Sequence, residues 1–357
     1  MLKYYKYHLP FTSPLQISGK KFFHRDGVIL TYKDPESGHT AFGEIAPLPG
    51  FSTEEISEVI EVLRSNRGYI TSSIKENNGK EALRVLDRIH RFPSLSFGLD
   101  TLLHDLTAKR EERSLAKYLF KEFGSNIQCN ATIGIQEVKT ALKKADEFIE
   151  AGYNTLKIKV GYQITREYRI VKQLRETYPD LKIRLDANQA WLPDEAIKHL
   201  NSLEKFDIEY CEQPVLKDDI YGLKRVTDAV TIPIAADESL RNKRSAKELS
   251  FVKAVDMVII KPTLMGTYQD IFVTKEIVDT HVIEAVLTTA LESAIGRAAI
   301  ATLSAGLGDP KYAQGLATGS FLKKDLSSDS WLNSPIVEIP EEPGLGINID
   351  MEGLEEL

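Results

Sequence analysis

Five charged residues recur at nearly constant spacing through the middle of the chain, each at the end of an apolar, β-rich run. They are Lys159, Asp186, Glu212, Asp237 and Lys261, and consecutive members lie 27, 26, 25 and 24 residues apart. That interval is the length of one strand followed by one helix. Because the carboxyl ends of parallel strands converge on one face of a barrel, we expect the five side chains to meet there. Taken singly, each would suit edge-strand protection or helix capping, but those roles do not explain a common register.

The three acids of this set, which would lie on neighbouring strands, predict a metal site. Carboxylates brought together repel one another unless a cation lies between them, and ligands that are all oxygen favour a hard divalent ion. We therefore predict one Mg²⁺ ion, with Mn²⁺ as a substitute, bound by Asp186, Glu212 and Asp237. The two lysines belong to strands on opposite sides of an eight-stranded ring, so Lys159 and Lys261 would approach a bound substrate from opposite faces.

This arrangement suits removal of a proton from the carbon next to a carboxylate. Such a carbon acid is weak, and a divalent cation stabilises the enediolate that forms. The base must be a neutral amine, whereas the unperturbed pKa of lysine is about 10.4. A second ammonium group lowers that pKa, and Lys157, two residues before Lys159, is the predicted neighbour. Asn188 and Glu238 would orient a metal ligand or a lysine, although Glu238 could instead cap the next helix.

Composition and charge exclude several classes of function. The chain has 45 Lys and Arg against 52 Asp and Glu, a formal net charge of −7, with no basic stripe of the kind that binds nucleic acid. No apolar run reaches the roughly 18 residues of a membrane span, and no signal peptide is recognisable. Two cysteines, Cys129 and Cys211, do not make a disulfide framework. We expect a soluble, acidic, cytoplasmic protein, monomeric or homo-oligomeric, that acts on a small-molecule carboxylate.

A regular alternation of strand-like and helix-like segments begins near residue 127. Eight β-rich runs follow one another, and YAQGLATGSFL is the last and weakest of them. The alternation predicts parallel βα units, and eight of them predict a (β/α)₈-type barrel. The earlier part of the chain indicates antiparallel strands and amphipathic helices, an α+β capping domain. The predicted divisions are 1–106 for the cap, 107–324 for the catalytic barrel and 325–357 for a tail that packs back on the cap.

Several segments resemble motifs of the enolase superfamily, in particular its muconate-lactonising subgroup. They are LKIKVG, RLDANQAW, EQP, ADES and IIKPTLMG, and the likeness extends over nearly the whole chain. The resemblance implies a modified (β/α)₇β barrel with an α+β cap that the tail completes. It also implies Mg²⁺ on Asp186, Glu212 and Asp237, with Lys159 and Lys261 as the acid–base residues.

The segments that would face the substrate resemble those of o-succinylbenzoate synthases in this superfamily. Residues 43–55 resemble their mobile cap loop, in which Gly50 and Phe51 would close over the barrel mouth. KPTLMGT and TTALESAIG resemble the sixth and seventh strand ends of these enzymes. Near the start of the following helix, small and hydroxyl residues would leave backbone N–H groups open to a second substrate carboxylate; these residues are Thr288, Thr289, Ser293 and Ala294.

Two positions depart from patterns within the superfamily. Related dipeptide epimerases carry an Asp-x-Asp pair for the substrate ammonium at the eighth strand end, where this chain has Gly315 and Ala317. Gln189 stands where some synthases place an arginine that would bind an anion. The first departure argues against a dipeptide substrate, because its amino group would lack a charged partner.

The first functional hypothesis is Mg²⁺-dependent dehydration of 2-succinyl-6-hydroxy-2,4-cyclohexadiene-1-carboxylate to 2-succinylbenzoate, a step of menaquinone biosynthesis that passes through an enediolate. Lys159 would remove the proton, and Lys261 would stay cationic. The alternative is a dipeptide epimerase or N-acylamino acid racemase that uses both lysines as proton carriers. The intact lysines argue against an inactive Mg²⁺-binding barrel, and the three aligned carboxylates argue against a Schiff-base aldolase.

Overall fold

The computed structural model describes residues 1–17 and 20–357 and contains an antiparallel sheet and a larger, curled parallel sheet. In chain order, the strands are β1 (Leu2–Ile17), β2 (Lys20–Lys33), β3 (Thr40–Ile45), β4 (Asn126–Gln128), β5 (Ala131–Ile133), β6 (Thr155–Lys159), β7 (Lys182–Asp186), β8 (Ile208–Glu212), β9 (Ile234–Ala236), β10 (Met257–Ile260), β11 (Glu284–Leu287), β12 (Ile336–Glu338) and β13 (Glu355–Glu356).

Helices follow most of these strands. In chain order, the α-helices are α1 (Ile56–Lys75), α2 (Gly79–His90), α3 (Pro93–Arg110), α4 (Leu115–Leu119), α5 (Val138–Glu150), α6 (Ile164–Thr177), α7 (Pro193–Leu203), α8 (Ile220–Ala229), α9 (Lys243–Val252), α10 (Pro262–Met265), α11 (Tyr268–Thr280) and α12 (Ala294–Leu307). In the described ranges, no helix has both the length and the apolar character needed to cross a bilayer.

The antiparallel sheet has the strand order β13-β1-β2-β3. Its two faces contribute side chains to two different hydrophobic cores. Side chains alternate between the faces of a strand, so neighbouring residues pack on opposite sides. Val28 and Leu30 of β2 belong to the core shared with α1, α2 and α3, whereas Ile29 between them belongs to the barrel core. The same division separates Tyr4 from Tyr7 on β1. The cap therefore joins the barrel through an apolar face.

Seven parallel strands form the barrel wall in the order β11-β10-β9-β8-β7-β6-β5. Their residues are buried in near-continuous runs, as expected for parallel strands covered by helices on the outside. Sequence neighbours are spatial neighbours throughout, because each strand returns to the sheet through a helix. The predicted fold class, a modified eight-fold βα barrel with an α+β cap, is confirmed.

The eighth position of the ring is filled by an isolated pair of bridges instead of a full strand. Gln314 pairs with Cys129, and Gly315 pairs with Thr288, which closes the gap between β11 and the segment before β5. The side-chain amide of Gln314 accepts a hydrogen bond from the Leu287 N–H at 2.7 Å. That amide takes an N–H that a regular strand would pair with a backbone carbonyl group, and a short 3₁₀ turn at 317–321 follows, so pairing here is limited to the two bridges.

The tail contacts both the cap and the barrel. β13 pairs with β1, and β12 pairs with β4. Helix α3 runs without interruption across the predicted division between residues 106 and 107. The buried Asp105 carboxylate on α3 accepts hydrogen bonds from the backbone N–H groups of Phe42 in β3 and Leu345 in the tail, both at 2.8 Å. Helix α3 thus ties the tail to the cap sheet.

A buried carboxylate from the cap, Glu44 on β3, binds the start of α12 in the barrel. It accepts hydrogen bonds from the Ser293 N–H at 2.9 Å, the Ser293 hydroxyl at 2.6 Å and the Gly296 N–H at 2.7 Å, and also from the hydroxyl of Tyr7. A Cβ on Gly296 would lie 2.9 Å from a Glu44 oxygen, so glycine permits this approach. The positive end of the α12 dipole favours the anion.

The prediction that backbone N–H groups here are open to a substrate carboxylate is wrong. The N–H of Ser293 is bound to Glu44, and that of Ala294 is bound to Asp325. The N–H groups of Thr288 and Thr289 donate to backbone carbonyl groups. The protein's own carboxylates from distant parts of the chain occupy the helix start, so a substrate anion would have to displace one of them.

Replacing Glu44 should weaken the union of cap and barrel. Glu44→Ala would leave several buried donors without partners, at a cost of about 1–3 kcal/mol for each one. We expect the free energy of unfolding to fall by at least about 2 kcal/mol, measured as a lower midpoint of urea denaturation. Glu36→Ala, which alters an exposed residue in the turn after β2, is the control. Equal midpoints for the two variants would contradict this role of Glu44.

Candidate active site

Three buried carboxylates lie side by side at the carboxyl ends of neighbouring barrel strands. Asp186 ends β7, Glu212 ends β8, and the two are direct partners in the sheet register. Glu212 pairs with Ala235 of β9, and Asp237 follows two residues later on the same face. Each of the three is at most 4% exposed. The register of the parallel sheet thus brings together the three acids that the sequence spacing selected.

Lysine ammonium groups contact all three carboxylates. Lys159 Nζ donates to Asp186 Oδ2 at 2.6 Å, and Lys261 Nζ donates to Asp237. Lys157 Nζ lies 3.0 Å from Glu212 Oε2 and 3.1 Å from Asp186 Oδ2, so it bridges the two acids. Lys159 and Lys261 lie at the two flanks of the row of acids, four strands apart in the barrel. Lys157 and Lys159 share one carboxylate oxygen, which makes them close neighbours.

Burial and mutual repulsion raise the pKa of two of the carboxylates, whereas nearby lysines lower the pKa of the third. Burial and the nearby Asp186 raise the pKa of Glu212 to about 7. Burial also raises the pKa of Asp237, although Lys261 opposes the change. At Asp186 burial is outweighed by Lys159 and Lys157, which hold the pKa below its ordinary value. The pocket therefore has a shortage of positive charge, centred on Glu212.

Lys157 and Lys261 are held in their charged form by the same acids. Burial disfavours the charged form of Lys157. The attraction of Glu212 and Asp186 outweighs this effect and raises the pKa of Lys157 well above the usual value. At Lys261 burial is likewise outweighed by Asp237 and Glu212, so the pKa is raised. Lys157 thus carries a positive charge close to Lys159, since both lysines contact Asp186 Oδ2.

Amide side chains hold the charged groups in place. The Asn188 Oδ1 atom accepts a hydrogen bond from Lys159 Nζ, and its Nδ2 donates to Glu238 Oε1 at 3.3 Å. Asn188 has a φ of 42°, a left-handed conformation that turns its side chain back over the strand end. Helix α9 is capped by Asn242, so Glu238 does not serve as its cap. Glu238 lies instead beside the lysine-binding amide.

Gln213 connects the fourth and fifth of the predicted strand ends, a role that the sequence analysis missed. This fully buried residue accepts hydrogen bonds at Oε1 from the N–H groups of Asp237 and Ser239, at 3.0 and 3.1 Å. Its Nε2 donates to the Ser239 hydroxyl at 2.8 Å. The carboxamide fixes the backbone of Asp237 relative to Glu212, the residue before it. Its position in the EQP segment, directly after a predicted ligand, was the available signal.

The predicted cap loop lies over the sixth strand end. The Phe51 ring centroid is 4.8 Å from Lys261 Nζ, a cation–π contact. Gly50 precedes it with a φ of 84°, which a residue with a Cβ adopts at a steric cost. The N–H groups of Phe51 and Ser52 both donate to the carbonyl group of Leu48, closing a tight turn. The turn brings the aromatic ring onto the ammonium group.

A cavity of about 590 Å³ opens between this loop and the ends of β9 and β10. Asp237 and Lys261 form part of its wall. Four further cationic side chains line it, which the sequence analysis missed because they lie in loops or, for Arg244, in the first turn of α9; they are Arg91, Lys217, Arg241 and Arg244. Within residues 1–17 and 20–357, only Arg241 of these four has a carboxylate partner, Asp218 at 2.7 Å. The other three cations are available to an anion.

The seventh and eighth strand ends present hydroxyl groups and a glycine, and the buried Glu292 in the loop after β11 is hydrogen-bonded to Thr263 and the Ala290 N–H. The hydroxyl groups of Thr288 and Thr289 both donate to the carbonyl oxygen of Gly315 at 3.1 Å. A Cβ on Gly315 would lie 2.4 Å from the Thr288 hydroxyl oxygen, so the two segments approach closely. The following Asp325 is bound to Arg297 and to the N–H of Ala294. These ends hold the ring closed and offer no unpaired acid.

The donor set fits a hard divalent cation. Its three carboxylates are buried, adjacent and all oxygen, and the bridging ammonium of Lys157 demonstrates that two of them converge on a single positive charge. Glu238 has an oxygen, Oε2, that is buried without a hydrogen-bond partner among the described residues, which indicates unmet demand for positive charge. An ion with oxygen ligands would meet that demand.

Family models match most of the chain. Residues 140–353 match the model described as "Enolase C-terminal domain-like", and residues 1–106 match "MenC, N-terminal domain". The chain belongs to the enolase superfamily. The resemblance inferred from the strand-end motifs is therefore confirmed, and the chain belongs to a family of enzymes.

Relatives with two different activities are similar to this chain to nearly the same extent. A hydrophobic dipeptide epimerase of Enterococcus faecalis is 32% identical over 319 residues, covering 88% of this chain and 90% of the relative. An o-succinylbenzoate synthase of Aliivibrio salmonicida is 29% identical over 342 residues, covering 95% of each. A crystal structure of a dipeptide epimerase from Enterococcus faecalis V583, complexed with Mg and the dipeptide L-Leu-L-Tyr, superimposes with a TM-score of 0.87 at 29% identity, covering 97% of this chain and 98% of the other.

Binding of Mg²⁺ should release protons near neutral pH. Glu212, with a pKa of about 7, is partly protonated there, whereas a metal ligand must be ionised. In the metal-free protein this raised pKa adds stability below pH 4.5, and that stability is lost as the pH rises through about 7. We expect affinity for Mg²⁺ to rise between about pH 6 and 8, with proton release measured by calorimetry in buffers of different ionisation enthalpy.

Two variants make this experiment specific. Glu212→Gln should lose both Mg²⁺ binding and proton release, whereas Glu176→Gln, on the outer surface of α6, should retain both. Tight binding to the wild-type protein without any proton exchange at pH 7 would contradict the assignment of Glu212.

Proposed function

We propose that this protein is a Mg²⁺-dependent o-succinylbenzoate synthase, which dehydrates 2-succinyl-6-hydroxy-2,4-cyclohexadiene-1-carboxylate to 2-succinylbenzoate. Asp186, Glu212 and Asp237 would hold the ion, and Lys159 and Lys261 would flank the substrate. Mn²⁺ would serve as a substitute ion, because both ions accept oxygen ligands. The similarity to an o-succinylbenzoate synthase over 95% of both chains supports the proposal.

The observation that carries the choice of substrate is the distribution of charge around the barrel mouth. Residues 314–321 contain no acidic side chain, so a substrate ammonium group would find no partner at the eighth strand end. The cavity on the other side is lined by Arg91, Lys217 and Arg244, which have no carboxylate partner among the described residues. A substrate with a second carboxylate suits this charge pattern, because each charged group gains an opposite partner.

The first chemical step breaks the C–H bond next to the substrate carboxylate. Lys159 Nζ takes the proton, and the electron pair remains on the substrate as an enediolate. A Mg²⁺ ion would supply several kcal/mol of charge stabilisation to that species. Asp186 and Asn188 both contact Lys159 Nζ and orient it, which keeps the base in one position. Lys157 Nζ, which bridges Asp186 and Glu212, lies beside it and contacts the same Asp186 oxygen.

The second step breaks the C–O bond of the ring hydroxyl group. The electron pair of the enediolate forms the new ring double bond, and the proton now on Lys159 leaves with the hydroxide as water. Lys261 remains an ammonium group on the opposite flank, held charged by Asp237, and stabilises the enediolate without transferring a proton. Phe51 covers one side of Lys261 through the cation–π contact. Aromatisation makes this step strongly downhill.

A second candidate function is epimerisation of a dipeptide or racemisation of an N-acylamino acid. The position of the two lysines at opposite flanks of the acids supports it, because a proton removed on one face must be returned on the other. The similarity to a hydrophobic dipeptide epimerase supports it as well. Dehydration and epimerisation share the first step and differ in whether Lys261 exchanges a proton.

Replacing the base should abolish the dehydration. Lys159→Ala is expected to lower kcat by about a hundredfold to ten-thousandfold, since general base catalysis contributes about 10²–10⁴. The measurement is an ultraviolet assay of aromatic product formation with purified protein and Mg²⁺. Lys198→Ala, on the exposed face of α7, should leave the rate unchanged. Full turnover by the Lys159 variant would exclude the proposed role of this lysine.

Lys261→Arg separates the two functions. Arginine keeps the positive charge but does not act as a proton carrier, because its pKa exceeds about 12. As a synthase, the variant should retain part of its dehydration rate. As an epimerase, it should lose inversion of the α-carbon of a chiral dipeptide, and exchange of the α-proton with D₂O, measured by NMR, should persist only for the epimer whose proton faces Lys159. A wild-type protein that epimerises dipeptides and fails to dehydrate the cyclohexadiene substrate would reverse our order of preference.

A further inference from the structure

A cluster of two histidines and an aspartate lies on the cap hairpin, away from the strand ends. Asp26 accepts contacts from His8 Nδ1 at 2.8 Å and from His24 Nε2 at 3.3 Å, on its two carboxylate oxygens. One donor atom from each of the three residues lies within 4.8 Å of the other two. The imidazole rings of the histidines are 3.6 Å apart, centroid to centroid. Three metal-ligating side chains thus converge on one point.

The register of the hairpin produces this convergence. His8 of β1 is the cross-strand partner of Asp26 of β2, and His24 lies two residues before Asp26 on the same face. Arg25, between them, points to the other face, where it is buried and donates to the carbonyl groups of Pro47 and Leu291 at 2.6 and 3.1 Å. The cluster therefore lies on the opposite side of the strand from the barrel and is separate from the proposed active site.

We propose that His8, His24 and Asp26 bind a Zn²⁺ ion or a chemically similar transition metal. Zn²⁺ binds imidazole nitrogen at about 2.0–2.1 Å and carboxylate oxygen at a similar distance, so tetrahedral ligand atoms lie about 3.3 Å apart. The contacts of 2.8 and 3.3 Å lie close to that separation. Two nitrogen ligands and one oxygen ligand favour Zn²⁺ over Mg²⁺, which prefers oxygen.

The side chains need little rearrangement to accept the ion. In the metal-free cluster each imidazole can donate a hydrogen bond to Asp26, which already aims both rings at the carboxylate. Binding requires only that each ring carry its proton on the other nitrogen, a change of tautomer. His8 and His24 are partly exposed, at 61% and 39%, so water can supply the fourth ligand. A bound ion would cross-link β1 to β2 and stabilise the folded cap.

The test measures metal binding with the untagged, full-length protein in excess Mg²⁺, which fills the proposed active site. Co²⁺ replaces Zn²⁺ as a spectroscopic probe, because tetrahedral Co²⁺ with nitrogen ligands absorbs visible light strongly and octahedral Co²⁺ with oxygen ligands does not. We expect one equivalent of tetrahedral Co²⁺, displaced by Zn²⁺, and a thermal unfolding midpoint that rises with Zn²⁺. His8→Ala and His24→Ala should each weaken Zn²⁺ binding at least roughly tenfold, since even the loss of an outer partner costs about that much.

His39→Ala is the matched control, because His39 also contacts a carboxylate, Glu112, elsewhere in the protein. It should bind Zn²⁺ as the wild-type protein does, and all variants should retain the metal-free unfolding midpoint. The proposal is overturned if the His8 and His24 variants bind Zn²⁺ as tightly as the wild-type protein. It is equally overturned if the wild-type protein binds Zn²⁺ only at millimolar concentration or if the His39 variant loses the site. Dehydration activity plays no part in this test.

Discussion

The repulsion among three buried carboxylates at one end of the barrel governs the design of the site. Parallel strands in register oblige Asp186, Glu212 and Asp237 to lie next to one another, and burial strengthens every interaction between them. Lysines on both flanks contact the outer acids, and Lys157 bridges two of the acids, which reduces the repulsion. Burial and the neighbouring Asp186 raise the pKa of Glu212 to about 7, so the charge of Lys157 does not fully offset these two effects. The residual demand for positive charge is the physical basis for proposing a divalent ion.

The cap completes the site and is held to the barrel by polar groups as well as by apolar packing. Glu44 caps the start of α12, and Arg25 joins the loops at 46–47 and 290–291 through their carbonyl groups. These buried contacts fix the position of the cap relative to the barrel mouth. They thereby fix the position of the loop that carries Phe51, whose ring contacts Lys261. Stability of the interface and coverage of the site thus depend on the same strands of the cap.

The spacing of residues in the sequence was sufficient to predict the barrel and to predict which residues meet at its strand ends. The period of about 25 residues is the length of one βα unit. Parallel strands in register place equivalent positions side by side, so residues one period apart become neighbours at the strand ends. The eighth strand was less predictable, since the Gln314 side chain takes the Leu287 N–H in place of a backbone carbonyl group. No local pattern distinguishes that glutamine from one that faces solvent.

Contacts between distant residues account for the main error. Ser293 and Glu44 are 249 residues apart, and nothing near Ser293 indicates that a cap carboxylate binds its N–H. The start of a helix beside an expected substrate has the features of an anion-binding site. The start of α12 does bind an anion, but that anion is a carboxylate of the protein itself. The cations of the cavity were missed for a related reason. Arg91 follows a cap helix and Arg244 begins a barrel helix, so only the fold brings them to one wall.

The choice between dehydration and epimerisation depends on groups outside the shared framework. Both reactions begin with removal of a proton beside a carboxylate, so the acids and lysines are compatible with either, and relatives of both kinds align with similar identity. Differences in binding free energy arise where the rest of the substrate lies. A charged amino group brought to the neutral end at Gly315 loses hydration without gaining a partner, whereas a distal carboxylate near Arg91 and Arg244 gains one. Electrostatic complementarity at the rim, more than the identity of the acid–base residues, is therefore the argument for the proposed synthase function.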